Sequence, residues 1–183
     1  MIDHAGDARA DLSSAFAAEA LPHLDRLFRL AMWMERDRHE AEEVVQETLL
    51  RALRAFDRYA AGTNCRAWLI AIMQNVRRNR YRARRRRAVF EDREGGDAES
   101  VEYVPPVPQV LTDQSVLAAL EGLPAKYQEV ILLSDVEELS YKDIARALDV
   151  PIGTVMSRLH RGRSMLRKAL AADTMEVRCA SSL

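Results

Sequence analysis

Cysteine is nearly absent. The two in this 183-residue chain, Cys65 and Cys179, are too few and too far apart for a disulfide framework, and they point to a reducing compartment. Neither stands at a zinc-ligand spacing from His4, His23, His39 or His160. No apolar run approaches the roughly 20 residues needed to span a bilayer. The N-terminus also lacks the uninterrupted apolar stretch of a secretory leader, so a cytoplasmic protein is expected. Glycine (7 residues) and aromatics (6%) are scarce, while Ala, Leu and Arg are abundant, a balance that favours an all-α fold. Excess charge is missing too: Lys+Arg 27 against Asp+Glu 28 leaves −1, which excludes a globally basic nucleic-acid coat. No carboxylate pair with a metal partner and no nucleophile–base set stands out. Neither an enzyme nor a cofactor is expected.

What is present is organised around Ser140 to Leu170, SYKDIARALDVPIGTVMSRLHRGRSMLRKAL. Ser140 with Asp143 resembles a capping box, and Ile144, Ala145 and Leu148 follow at helical spacing. Asp149-Val150-Pro151 breaks the pattern, because proline lacks an amide hydrogen and disfavours helix in the residue before it. Asp149 stands where glycine is common, and aspartate tolerates left-handed geometry better than most residues. In the run that follows, a projection at about 100° per residue puts Val155, Leu159, Gly162, Leu166 and Leu170 on one side. Ser157, His160, Arg161 and Ser164 fall on the other. An apolar back with a polar, basic front suits a helix-turn-helix whose second helix reads the major groove. An ordinary helical hairpin with a solvated face would carry the same pattern.

Upstream, residues 1–20 are polar and alanine-rich and are expected to be frayed. Leu24, Leu27, Phe28, Ala31 and Met34 predict an amphipathic helix, with Pro22 in its opening turn. After a charged break at Glu35 to Arg38, Ala41, Val44, Val45, Thr48, Leu49, Ala52, Leu53 and Phe56 mark the cleanest helix. Its other face carries Glu40, Glu43, Gln46, Glu47, Arg51 and Arg54. Gly62, Thr63 and Asn64 supply turn chemistry. A third helix is expected from Ala67, with Trp68, Ala71, Ile72 and Asn75 on one stripe, facing the core. It runs into Arg77, Arg78, Arg80, Arg82, Arg84, Arg85, Arg86 and Arg87, like charges that call for a polyanion or an acidic partner. Residues 88–111, acidic and then proline-rich, read as a flexible linker. A second helical domain spans 112–171, with Val116, Leu117, Leu120 and Leu123 before Pro124, and Tyr127, Val130 and Ile131 after it. A tail, 172–183, ends the chain.

The strings EAEEVVQETLLRALRAF and GTNCRAWLIAIMQN, followed by LPAKYQEVILLSDVEELSYKDIARALDVPIGTVMSRLHRGRSMLRKAL, resemble the extracytoplasmic-function (ECF) branch of bacterial sigma-70 factors. The resemblance runs from about Leu21 to Leu170. It implies a sigma-2-like domain at 21–87 and a sigma-4-like domain at 112–171. It further implies that Glu40, Glu43, Gln46 and Glu47 meet the β′ clamp helices of core RNA polymerase, and that the second domain meets the β flap tip. Gly62, Thr63 and Asn64, with Asn75, would capture an unstacked base of the −10 element, which requires polar groups for the base edge. Arg77, Arg78 and Arg80 would lie along phosphates. Met156, Ser157, His160 and Arg161 match the −35 readers, with Arg158 and Arg163 on flanking phosphates. Met156 departs from the family, where a basic residue is usual, and a thioether cannot make a bidentate contact to guanine. ALPHLDRL and GTNCRAWL look like the members governed by zinc-containing, redox-responsive anti-sigma proteins, although Cys65 reads as a small buried residue.

A stand-alone helix-turn-helix repressor would account for the second domain. It leaves the arginine block and the Gly-Thr-Asn loop without a role, and it requires dimerisation across a two-fold site.

Overall fold

The computed structural model describes residues 4–60, 62–91 and 114–180, with side chains within 11–60, 62–86 and 114–171. Every regular element among them is helical, and the chain divides into two compact units between residues 106 and 107. The first unit holds α1 (His4–Ala20), α2 (Leu24–Glu35), α3 (Arg38–Ala55) and α4 (Cys65–Glu91), with short 3₁₀ turns at Leu21–His23 and Phe56–Arg58. The second holds α5 (Gln114–Glu121), α6 (Ala125–Ile131), α7 (Tyr141–Leu148) and α8 (Ile152–Ala180). A widened π turn, Leu132–Val136, continues α6.

In the first unit α3 packs between α2 and α4. Ala41, Val44, Val45, Thr48 and Ala52 form its buried stripe, as the periodicity predicted. Thr48 satisfies its hydroxyl by donating to the Val44 carbonyl at 2.6 Å, so a polar side chain enters the core without an unpaired group. Helix α2 departs from the single stripe expected of it. Leu30, Met32 and Trp33 are buried along with Leu27 and Ala31, positions that surround the helix rather than line one face. Asp37 separates α2 from α3: its carboxylate accepts from the Glu40 amide at 2.8 Å, an N-cap for α3. Asp37 and Glu40 stand at capping-box spacing, a signal present in the sequence and missed in the reading of Glu35 to Arg38 as a plain charged break.

Three expectations are corrected. Residues His4–Ala20 form a helix, and Phe16 and Ala20 are buried; an apolar residue at the right place docks what composition alone suggested was frayed. Helix α4 starts at Cys65, two residues before the expected Ala67, because the Asn64 side-chain oxygen accepts from the Ala67 amide at 3.0 Å and caps it. Its buried positions are Cys65, Ala67, Leu69, Ile70, Met73, Gln74 and Val76, while Asn75 is exposed, so the core-facing stripe lies beside the predicted one. Both long helices overrun their expected ends. Helix α4 reaches Glu91, past 87, and α8 reaches Ala180, past 171, with no glycine or proline to stop either. The linker beyond Glu91 lies outside the described residues.

The second unit folds against α8, which packs on α5, α6 and α7. Gly162 lies at the closest approach: a Cβ there would sit 3.0 Å from Ile131 Cδ1 and 3.2 Å from Tyr127 Cβ. Burial of Leu117, Leu120, Leu123, Val130, Ile131, Leu133, Ile144, Val155 and Leu159 builds the core.

Candidate nucleic-acid interface

The Ser140 hydroxyl accepts from the Asp143 amide at 3.1 Å and donates to the Asp143 carboxylate at 2.7 Å, fixing the start of α7. Asp149 closes the helix in left-handed geometry, φ 56° and ψ 50°, with its amide bonded to Ala145 O. The turn is thus a glycine-type cap made by an aspartate. Pro151 then opens α8, whose first amides at Thr154 and Val155 bond back to the Pro151 carbonyl. Val155 and Leu159 are buried, and this rotation turns Met156, Ser157, His160 and Arg161 to solvent.

The two flanking arginines differ from these readers. Arg158 is half-buried. Arg163 donates through Nη2 and Nε to the two Asp135 carboxylate oxygens at 2.5 and 3.2 Å, and to the Ser134 hydroxyl at 3.3 Å. That pairing holds its guanidinium further into the charged form. An arginine tied bidentately within its own unit staples α8 to the turn after α6. Met156 is 54% exposed. It lines, with His160, Tyr141, Leu159, Leu166, Leu170 and the stems of Arg163 and Arg167, a largely apolar groove of about 590 Å³.

In the first unit the Gly62-Thr63-Asn64 loop is held at successive points. Gly62 takes φ +81°, the left-handed region open to glycine. The Thr63 amide and hydroxyl both reach the Ala60 carbonyl, at 3.2 and 2.8 Å. The Tyr59 hydroxyl donates to Thr63 O at 2.8 Å, and Asn64 caps α4. Gly62, Thr63 and Asn64 are exposed. Asn75 is exposed as well, about 15 Å further along α4 at roughly 1.5 Å per residue, so the loop and this amide form two stations along one helix and no single pocket. Beneath the loop, Cys65 is buried and burial pushes its thiol pKa up, the opposite of a reactive thiolate.

The arginine block has an acidic partner within the unit. Arg77 donates to Glu35 at 2.5 Å and to Gln74 at 2.8 Å. Arg80 pairs with Glu40 at 2.7 Å, with Glu43, and with Glu47 at 3.9 Å, and Arg84 also pairs with Glu40. Burial disfavours the Arg80 charge, but its hydrogen bonds to Glu40 and Glu43 outweigh that and raise its pKa. The Arg80 hydrogen bond in turn holds the Glu43 carboxyl below its ordinary range. Glu47 also binds Arg51 at 2.5 Å. Arg77 and Arg80, expected on phosphates, are thus engaged with carboxylates of α2 and α3, and the predicted docking face on α3 is largely paired with α4. The sequence showed each charge; only tertiary packing shows that they face one another. Gln46 remains the exposed member of that face, and Arg78 is half-buried.

Two family patterns match in chain order: Sigma-70 region 2 over residues 21–87 and Sigma-70, region 4 over residues 113–166. Together they define a sigma-70-type transcription initiation factor. The ECF RNA polymerase sigma factor SigE of Mycolicibacterium smegmatis is 38% identical over 162 residues, 84% of this chain and 61% of that protein. The chain thus spans under two thirds of that relative's length. EcfG of Rhodopseudomonas palustris, also an ECF RNA polymerase sigma factor, is 38% identical over 157 residues, 86% of this chain and 84% of that one. Among solved structures, the sigma factor RpoE of Bartonella quintana, crystallised with the anti-sigma factor NepR, superposes with a TM-score of 0.69 at 30% identity. That match covers 87% of this chain and 98% of RpoE. The chain belongs to the ECF branch of the sigma-70 family. Among the described residues, no helix is long and apolar enough to cross a membrane, and no cluster of His, Cys, Asp or Glu could hold a metal ion.

Proposed function

We propose that the chain is the promoter-specificity subunit of a cytoplasmic RNA polymerase, acting through binding energy and carrying no catalysis of its own. The observation that carries this reading is the presence, in order, of a region 2 unit with an exposed Gly-Thr-Asn loop and a region 4 unit whose recognition helix turns Ser157, His160 and Arg161 outward. The second unit would read the −35 element through those residues, with Met156 beside them. The first would open the −10 element through the loop and Asn75. Core polymerase would dock on the Glu40, Glu43, Gln46 and Glu47 face through its β′ clamp helices, and its β flap tip would meet the second unit. An anti-sigma protein would restrain the chain until a stress or other signal releases it, a reading supported by the complex of the Bartonella relative.

Run-off transcription on genomic fragments, with core polymerase and with or without the chain, tests the proposal. Defined starts that need the chain are expected. Specific DNA binding without polymerase, as a homodimer and with no new starts, would replace this reading with a helix-turn-helix repressor.

A further inference from the structure

We propose that Tyr59 is a positioning residue for the base-capturing loop, and so a determinant of which −10 base the protein accepts; the inference rests on the sigma-factor reading above. Tyr59 precedes the loop and is not itself among the expected base contacts. Its ring stacks on Phe56, with centroids 5.5 Å apart and planes 15° from parallel, and lies 4.8 Å from the Trp68 ring. Phe16 of α1 meets Phe56 edge-on at 5.3 Å and 81°. The four rings therefore join α1, the end of α3 and the start of α4 into one support. From it the Tyr59 hydroxyl reaches up to the Thr63 carbonyl at 2.8 Å.

That hydrogen bond sets the direction of one peptide in the middle of the loop. Among the described residues, Thr63 is otherwise held to Ala60, inside the same turn, by its amide and hydroxyl. Asn64 is held only to the helix that follows. The Trp68 amide also donates to the Asn64 carbonyl at 3.1 Å, but of these contacts it is the Tyr59 hydroxyl that ties the Thr63 carbonyl to the aromatic platform. A loop that must accept an extruded base has to present its polar groups before the base arrives, since ordering them afterwards costs binding energy. With Tyr59 in place the Thr63 peptide is fixed in advance. Without its hydroxyl the same ring still packs, but the peptide can rotate and the loop loses selectivity.

Tyr59→Phe removes the oxygen and keeps the ring. The wild-type chain and the variant are compared with core polymerase on promoters carrying each base at the captured position, found first by base substitution across the −10 element. Promoter opening is followed by 2-aminopurine fluorescence. The expected result is a roughly three- to tenfold loss of discrimination among the four bases, the effect of one hydrogen bond, with unchanged core affinity and −35 dependence. Val44→Ala, a cavity elsewhere in the same unit, serves as the stability control. It should lower the melting temperature yet keep discrimination, which separates positioning from mere support. Wild-type discrimination in Tyr59→Phe, or equal loss in Val44→Ala, overturns the assignment. If the wild-type chain directs no start on any promoter, the sigma-factor reading fails and this assignment falls with it.

Discussion

Gly162 illustrates how a single residue is fixed by opposing effects of similar size. Replacing a helical glycine with alanine gains about 1 kcal/mol of helix propensity. The new methyl would sit 3.2 Å from Tyr127 Cβ, which is anchored to the α6 backbone, and 3.0 Å from Ile131 Cδ1. Overpacking costs roughly 1–3 kcal/mol, so Gly162→Ala should lower stability by about 1 kcal/mol, measured by urea denaturation of the full chain. On the facing side of α8, Arg161 is exposed while Arg163 is bound to Asp135. Arg161→Ala should reduce −35-dependent transcription roughly tenfold, the value of a base contact. Arg163→Ala should reduce it far less, and transcription from matched promoters with intact and scrambled −35 elements distinguishes the two.

Elements are joined by contacts that no local pattern carries. Helix α1 docks through Phe16, 8% exposed, against Phe56. Phe16→Ala should cost about 3 kcal/mol, the lower end for a buried phenylalanine, because a terminal helix can shift to close part of the cavity. A thermal melt that did not move would return residues 11–20 to the status of an appendage. Helices α3 and α4 are tied by Arg80 to Glu40 and Glu43. Because the folded Glu43 carboxyl titrates below its ordinary value of 4.5, the stability it adds is complete above that value. It is lost as pH falls through the lowered pKa. Acid unfolding of the wild-type chain should therefore steepen below about pH 4.5, and Glu43→Gln should flatten that portion of the curve. Equal acid profiles would remove Glu43 from the account.

At the scale of the whole molecule, charge is balanced in total and paired locally. A net charge of −1, with Arg77, Arg80 and Arg84 already facing carboxylates, weakens the field that would attract a polyanion. The free chain should accordingly bind promoter DNA weakly at physiological salt, with a shallow dependence of log affinity on log salt. Adding core polymerase should produce tight binding to the same fragment. A filter-binding titration of the free chain across salt concentrations checks this, and tight binding at physiological salt would contradict it.

The sequence by itself determined whatever is set by neighbours within a few residues. The Ser140 cap, the Asp149 turn, the register of α8 and the stripe of α3 were legible because proline chemistry, capping and helical periodicity act over one or two turns. The outward set Ser157, His160 and Arg161 followed from that register, and the two-domain order from the acidic, proline-rich composition of residues 88–111. Only the tertiary structure decided what depends on contact between distant residues. Arg80 lies 37 positions from Glu43, Arg163 28 from Asp135, and Phe16 meets a ring of α3's end. No spacing rule links such pairs, so the pairing of Arg77, Arg80 and Arg163 each with a carboxylate of the same unit is visible only once the chain is packed. Residues before Leu21 read as frayed until a core was there to receive them. The physical reason is range: backbone geometry and capping are local, whereas burial and ion pairing are settled by which surfaces the folded chain brings together.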